Sequence, residues 1–387
     1  MNVKKLLALG LSLSMTLGLA ACSGGQTTQS AAPSDNGGEA GAEGLKIAIV
    51  TSPNTVDDGS FNENNYDGIV SFIESRGNID TVTPVQEPTG DPSAAAQTVA
   101  DIVADYDVLV CTGFQFAGIA TVAEENPDKE FILVDSFPTD AEGNEVEVEN
   151  VYAMQFAEQE SGFFAGVAAA LETKSGKVAV VNGVAYPSNV NYQYGFESGV
   201  NYATKNLGAN AEVVELPSYA GTDVTGANVG GNYTGNFSDE ATGKVIGNAL
   251  IQQGVDIIFV AAGASGNGVF TAAKESNGAA MVIGCDVDQY DDGANGDSNI
   301  ILTSVLKNMA INVERQLNAI VDGSFKGGNY TLYADTDSTG YVSEEGRQQM
   351  SADTISVLDE LYPKVKDGTI VPASNFNGNT PDNFPGL

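Results

Sequence analysis

Residues 51–65 read TSPNTVDDGSFNENN. They follow a short apolar run, 47–50, and precede an amphipathic stretch that ends near Arg76. This is the order strand, loop, helix start. Ser60 and Glu63 stand three apart, as in a capping box, which makes Ser60 the N-cap and puts Phe61 and Asn62 in the first turn. An aromatic ring there, beside free backbone N–H groups and the acids Asp57 and Asp58, admits two readings. Phe61 either staples the helix to the sheet or serves as a platform on which a ligand stacks. Spacing alone favours the staple.

The same alternation runs along the whole chain. Strand-like runs cover 46–50, 108–111, 131–134, 151–154, 177–181, 212–216, 256–260, 281–284 and 300–304. A further strand at 80–85 contains Pro84, which confines it to a sheet edge. Helical patterns cover 64–76, 92–105, 118–125, 158–172, 191–205, 239–253, 266–275, 309–321 and 343–362. Several strands are continuous apolar runs, the pattern of parallel strands covered on both faces. Strands alternating with helices give an α/β fold, and the length suits two such sheets in two lobes. No fixed-period repeat is visible.

Ligands of open parallel sheets sit beyond the carboxyl ends of the strands. The residues at those ends are polar or small: Thr51 and Ser52, Thr112 and Gly113, Asp135 and Ser136, Asn182 and Gly183, Gly263, Asp286 and Asp288, and Lys307. Asp135 and Asp286 each suit a pair of hydroxyl donors, as on a sugar ring, or simply cap the turn that follows. The run 263–268, GASGNG, follows the order G-x-x-G-x-G, which is not a dinucleotide fingerprint, and it lacks the Lys-Ser/Thr of a phosphate loop. It is either a ligand-facing helix start or a tight turn. Residues 233–239, YTGNFSD, repeat the opening theme, with Phe237 before a helix. Two such rings, one from each lobe, would sandwich a planar base; packing is the other reading.

The chain carries 51 Asp+Glu against 16 Lys+Arg, a formal charge of −35. That argues against nucleic acid as a partner. There is no His and no Trp, so His triads and His metal sites are excluded and no cofactor is expected. Cys111 and Cys285 sit in or after apolar strands and read as buried thiols, with a disulfide between them the other option. Lys4 and Lys5 precede an apolar run, 6–19, then Leu19-Ala20-Ala21-Cys22. This is a bacterial lipoprotein signal, residues 1–21, with Cys22 as the lipidated residue. Residues 22–44 read as a flexible acidic Gly/Ser-rich tether. The expected location is the extracytoplasmic face of the cell membrane, held by lipid.

Four motifs resemble the basic membrane protein family, nucleoside-binding lipoproteins of ABC transporters. They are DDGSFN at 57–62, AEQESGFFAG at 157–166, AAG with GNGVF at 261–263 and 266–270, and GCDVDQ at 284–289. The resemblance covers about 46–327. It implies a type I periplasmic-binding-protein fold, two doubly wound α/β lobes joined by three hinge crossings near 151–156, 286–290 and 326–333. The lobes would be 45–153 plus 288–328, and 154–287 plus 329–387. Carried over by motif, Phe61 and Phe237 resemble stacking aromatics, Asn62 and Asp135 contacts to a base, and Gly263, Asp286 and Lys307 contacts to a ribose. Where many relatives have an Asp after the first strand, this chain has Thr51-Ser52-Pro53. Residues 217–231 look long for the family and are expected near the cleft mouth.

The reading is therefore a monomeric binding protein that captures nucleosides, purine nucleosides foremost, for an ABC permease and its ATPase subunits. No nucleophile or metal set accompanies the carboxylates, so an enzyme is not expected. The alternatives are a sugar or other small polar metabolite as ligand, or a sensor role on the same fold.

Overall fold

The computed structural model describes residues 44–387. The leader, Cys22 and nearly all of the tether lie outside the described residues. Among those described, no helix is long and apolar enough to cross a membrane.

The principal strands are β1 (Lys46–Thr51), β2 (Thr81–Gln86), β3 (Val108–Thr112), β4 (Glu130–Val134), β5 (Val151–Phe156) and β6 (Lys177–Asn182). They continue as β7 (Glu212–Val213), β8 (Ile257–Ala261), β9 (Met281–Gly284), β10 (Ile301–Lys307), β11 (Gly328–Leu332) and β12 (Thr339–Tyr341). The helices are α1 (Phe61–Ser75), α2 (Pro92–Ile102), α3 (Ala120–Glu125), α4 (Glu158–Glu172), α5 (Pro187–Asn206), α6 (Glu240–Gln252), α7 (Gly266–Glu275), α8 (Met309–Asp322) and α9 (Ala352–Lys366).

Two six-stranded sheets result. The first runs β11-β5-β4-β3-β1-β2 and is parallel throughout. The second runs β12-β10-β9-β8-β6-β7, parallel except that β12 pairs antiparallel with β10. In β1, Ile47 and Ile49 face a core that includes Ile69 and Phe72 of α1 and Met309 and Val313 of α8. Ala48 and Val50 face the opposite core, with Ala95 and Val99 of α2. Both faces of the strand are buried, which is why its sequence does not alternate. β2 is the edge strand, and Pro84 pairs there with Ile49. The second sheet has cores on both faces in the same way.

The chain passes between the lobes after β5 into α4, after β10 into α8, and between β11 and β12. The middle crossing departs from the expectation near 286–290. Strand β10 pairs with β9, so residues up to Lys307 stay with the second sheet and only then does α8 join the first lobe. Residues 301–305, ILTSV, are all buried, and β10 takes its place in the second sheet by pairing parallel with β9. The expected boundary at 288 is therefore corrected to the end of β10. The tail helix also begins later than 343: Ser351 caps it by accepting from Thr354 N at 3.2 Å. Cys111, in β3, and Cys285, just past the end of β9, are free, buried thiols in different lobes.

Candidate ligand-binding cleft

Phe61, Asn62, Asp135, Phe237, Gly263, Asp286 and Lys307 all line one cleft between the lobes. The sheets bring them there because their strand ends point into the same gap. The lobes are apposed across it. Asn54 Nδ2 donates to Phe237 O at 3.3 Å, Ser60 Oγ donates to Asp286 Oδ2 at 3.3 Å, and the rings of Phe114 and Tyr186 stand 4.9 Å apart.

The opening loop is built differently from a capping box. Ser60 is the N-cap residue of α1 but its hydroxyl makes no capping bond. Asp58 does that work, accepting from Ser60 N at 3.1 Å, Asn62 N at 3.1 Å and Glu63 N at 3.2 Å. Glu63 accepts from Gly59 N instead of Ser60 N. The Ser60 hydroxyl is thereby released to reach the other lobe. Burial pushes the Asp58 carboxyl up, its backbone donors pull it down, and nearby Asp286 adds to the rise.

Asn62 is held from both ends of its amide. Its Nδ2 donates to Asp58 Oδ2 at 3.0 Å, and its Oδ1 accepts from Thr112 Oγ1 at 2.8 Å. Phe61 is half-buried, packed on the first-lobe core, and the Lys307 ammonium lies 5.2 Å from its ring centroid. The ring is thus both a staple and a wall of the cleft. Phe237 is half-buried above Gly183 and Gly263, where any Cβ would press on its ring or backbone. Asp239, after it, caps α6 by accepting from Thr242 N at 3.0 Å. Gly263 takes φ +52° in a tight turn before α7, so the turn reading and the cleft-lining reading both hold for it.

The two strand-end acids share a backbone form. Asp135 has φ +66° and Asp286 φ +68°. This left-handed region costs a non-glycine residue about 1–3 kcal/mol, and surrounding contacts must enforce it. Asp286 is oriented by Tyr192, whose hydroxyl donates to Oδ1 at 2.9 Å. Asp135 is oriented by Lys307, whose Nζ donates to Oδ2 at 2.5 Å. Lys307 also pairs with Glu158 Oε1 at 3.2 Å. Asp135 Oδ1 is buried with no hydrogen-bond partner among the described residues.

One buried cation thus serves Asp135 and Glu158, with Asp286 close by. Burial pulls Lys307 down, but Asp135, Glu158 and Asp286 outweigh it and hold it above the ordinary lysine range. Burial pushes Asp135 up to about 7, against Lys307 and with Glu158 and Asp286 adding. Lys307 is therefore the fixed charge of the cluster, while Asp135 is pushed up first by its burial and then by the neighbouring carboxylates.

Three residues that line the cleft or hold its charged groups escaped the sequence reading. Tyr192 lies within a helical pattern and Glu158 inside a motif, and neither carries a local signal. Asp58 was visible only as an acid beside Phe61. In the other direction, Asp288 does not line the cleft and pairs with Arg347 at 2.6 Å. Residues 217–231 form a short ribbon, Gly221–Thr222 with Asn228–Gly230, and none of them lines the cleft.

A family model described as ABC transporter substrate-binding protein PnrA-like matches residues 45–222 and 219–375. The chain belongs to this family, Bmp. Bmp proteins are substrate-binding components of ABC transporters, so the chain is a binding protein and not an enzyme. It is 30% identical over 339 residues to the CD4+ T-cell-stimulating antigen of Listeria monocytogenes serovar 1/2a, covering 84% of this chain and 87% of that protein. It is 28% identical over 309 residues to the ABC transporter nucleoside-binding protein BmpA of Lactococcus lactis subsp. cremoris, covering 75% and 78%. Its fold resembles an ABC transporter solute-binding protein from Aeropyrum pernix K1, with a TM-score of 0.70, 22% identity, and coverage of 86% and 94%. The Bmp chain thus has the two-lobed periplasmic-binding-protein fold that its motifs implied.

Proposed function

We propose that this Bmp protein captures nucleosides in the interlobe cleft and delivers them to an ABC permease. The observation that carries the reading is the pairing of two half-buried rings, Phe61 and Phe237, from opposite lobes with strand-end carboxylates in the same cleft. A planar base stacks on aromatic faces at about 1–3 kcal/mol per base. Asp286 accepts from ribose hydroxyls, and the free Oδ1 of Asp135 accepts from an N–H of the base. Lys307, the one cation lining the cleft among the described residues, is already neutralised by Asp135 and Glu158, so a phosphate gains nothing there and meets Asp58 and Asp286. The name of the Lactococcus relative supports the same ligand class.

In this reading Cys22 carries lipid, residues 22–44 tether the binding unit to the extracytoplasmic face of the membrane, and the protein works as a monomer with permease and ATPase subunits. Hinge motion closes the lobes over the ligand. The test is thermal unfolding with adenosine, guanosine, inosine or simple sugars. A ligand at a hundredfold its Kd stabilises by about 2.7 kcal/mol, so a nucleoside raises the melting midpoint by several degrees. A rise with a sugar and none with any nucleoside sinks the proposal.

A further inference from the structure

The motif at 157–166, AEQESGFFAG, is the longest of the quoted motifs, yet none of its residues lines the cleft. Its second half is explained by packing. Gly162 and Gly166 of α4 meet Gly195 and Gly199 of α5 so closely that a Cβ at any of the four would strike the partner backbone. Its first half does something else. Glu158, Glu160 and Ser161 stand just after the first crossing, and each is buried. Glu158 reaches Lys307, the last residue of β10 and the start of the second crossing. Ser161 Oγ donates to Leu306 O at 2.7 Å on the same crossing and accepts from Gly340 N at 3.2 Å beyond the third. Glu160 Oε2 accepts from Ala334 N at 2.8 Å and from Thr339 Oγ1 at 2.6 Å, one on each side of the segment between β11 and β12.

We propose that Glu160, with Ser161 and Glu158, is the clamp that holds all three hinge crossings in the lobe-apposed arrangement and so sets ligand affinity from outside the cleft. Glu160 is a positioning residue: it touches no ligand and acts through the third crossing. The ligand part of this inference rests on the nucleoside reading above; the closure part does not. Segment 333–338 carries the turn that any hinge motion must use. It contains the turn Ala334–Thr336 and Asp337 at φ +58°. One carboxylate oxygen bonded to both ends of that segment fixes its span. Both bonds are buried, where a lost partner is not replaced by water, and losing both releases the segment.

The experiment uses the full chain with Cys22→Ser and spin labels on Thr121→Cys in α3 and Asn206→Cys in α5, both exposed and on opposite lobes. Cys111 and Cys285 are buried and stay unlabelled. The interlobe distance distribution is recorded without ligand and with inosine, and inosine affinity is measured in parallel. Glu160→Ala is expected to move the ligand-free distribution to longer distances and to weaken inosine about tenfold or more. Glu160→Gln keeps an acceptor oxygen and is expected to restore most of both. A folded Glu160→Ala protein with wild-type distances and wild-type affinity overturns the proposal. If Glu160→Ala does not fold, Thr339→Val removes only one of the two bonds, and unchanged distances in that variant overturn it instead. If no nucleoside binds the parent protein, the ligand reading falls, while the ligand-free distances still decide the clamp.

Discussion

Replacing Lys307 with Met leaves Asp135 and Glu158 without their shared cation. Their side chains are 8% and 2% exposed, so water does not substitute for it. At an effective dielectric of ~20, unit charges ~3 Å apart attract by about 5 kcal/mol. Much of that offsets the desolvation of the three groups, and breaking a buried pair by removing one partner costs about 3–5 kcal/mol. The loss depends on pH. Where Asp135 can hold a proton it needs no counter-charge, so Lys307→Met suffers least in acid and most above the value of about 7 to which Asp135 is already pushed with the cation present. Equilibrium urea unfolding at pH ~5.5 and ~8 measures both effects, with a deficit of about 3 kcal/mol or more expected at the higher pH and a clearly smaller one at the lower. Adding Asp135→Asn to Lys307→Met should recover part of the deficit, because one of the two orphaned charges is gone. A deficit below ~1 kcal/mol that does not change with pH would refute the reasoning, since that is what a solvated surface pair gives.

Three further outcomes follow from the same geometry. Gly183→Ala places a methyl where the Phe237 ring lies; it should weaken nucleoside binding about as much as Phe237→Ala, about 5- to 150-fold from the loss of one stacking face, while the unfolding midpoint moves little. Phe61→Ala and Asp286→Ala should each weaken binding as well, measured by titration, and normal binding by both would mean that the ligand sits elsewhere. Glu160 is pushed up to about 7 from its ordinary 4.5, first by burial, against its bonds to Thr339 and Ala334 and with Asp335 adding. Between those values the folded state holds a proton that the unfolded chain has released, so this group's contribution is present in acid and declines as pH rises from about 4.5 through 7. Urea midpoints of Glu160→Gln against wild type should show a flatter pH slope over that window; parallel slopes would discount the raised carboxyl.

The fold was legible wherever a strand is buried on both faces. The run 108–111 could only be an interior parallel strand, and it is β3 in mid-sheet. Pro84 marked its strand as an edge, because it has no N–H for a further neighbour. The missed strands are also edges, but without such a mark. β11 reads GNYTL and is mostly half-exposed, and β12 spans three residues, so neither gives an apolar run. The cleft was legible to the extent that sheet ends collect polar residues. Its wiring was not, because the wiring is long-range. Ser60 and Asp286 are 226 residues apart, and nothing local says that Ser60 leaves its capping role to Asp58 and reaches across the gap. The middle crossing was misplaced for a related reason. After β9 the chain returns to the same sheet through a small ribbon, Ala294–Asn295 with Ser298–Asn299, and not through a helix that would mark the step.

The central claim is that the cleft between Phe61 and Phe237 holds a nucleoside. Calorimetric titration of the Cys22→Ser chain with nucleosides, the matching free bases and simple sugars tests it most directly. The account predicts one-to-one binding of a nucleoside, weaker binding of its free base because Asp286 loses its ribose donors, and no comparable binding of a sugar alone. No heat with any nucleoside, together with clear binding of a sugar, would contradict it.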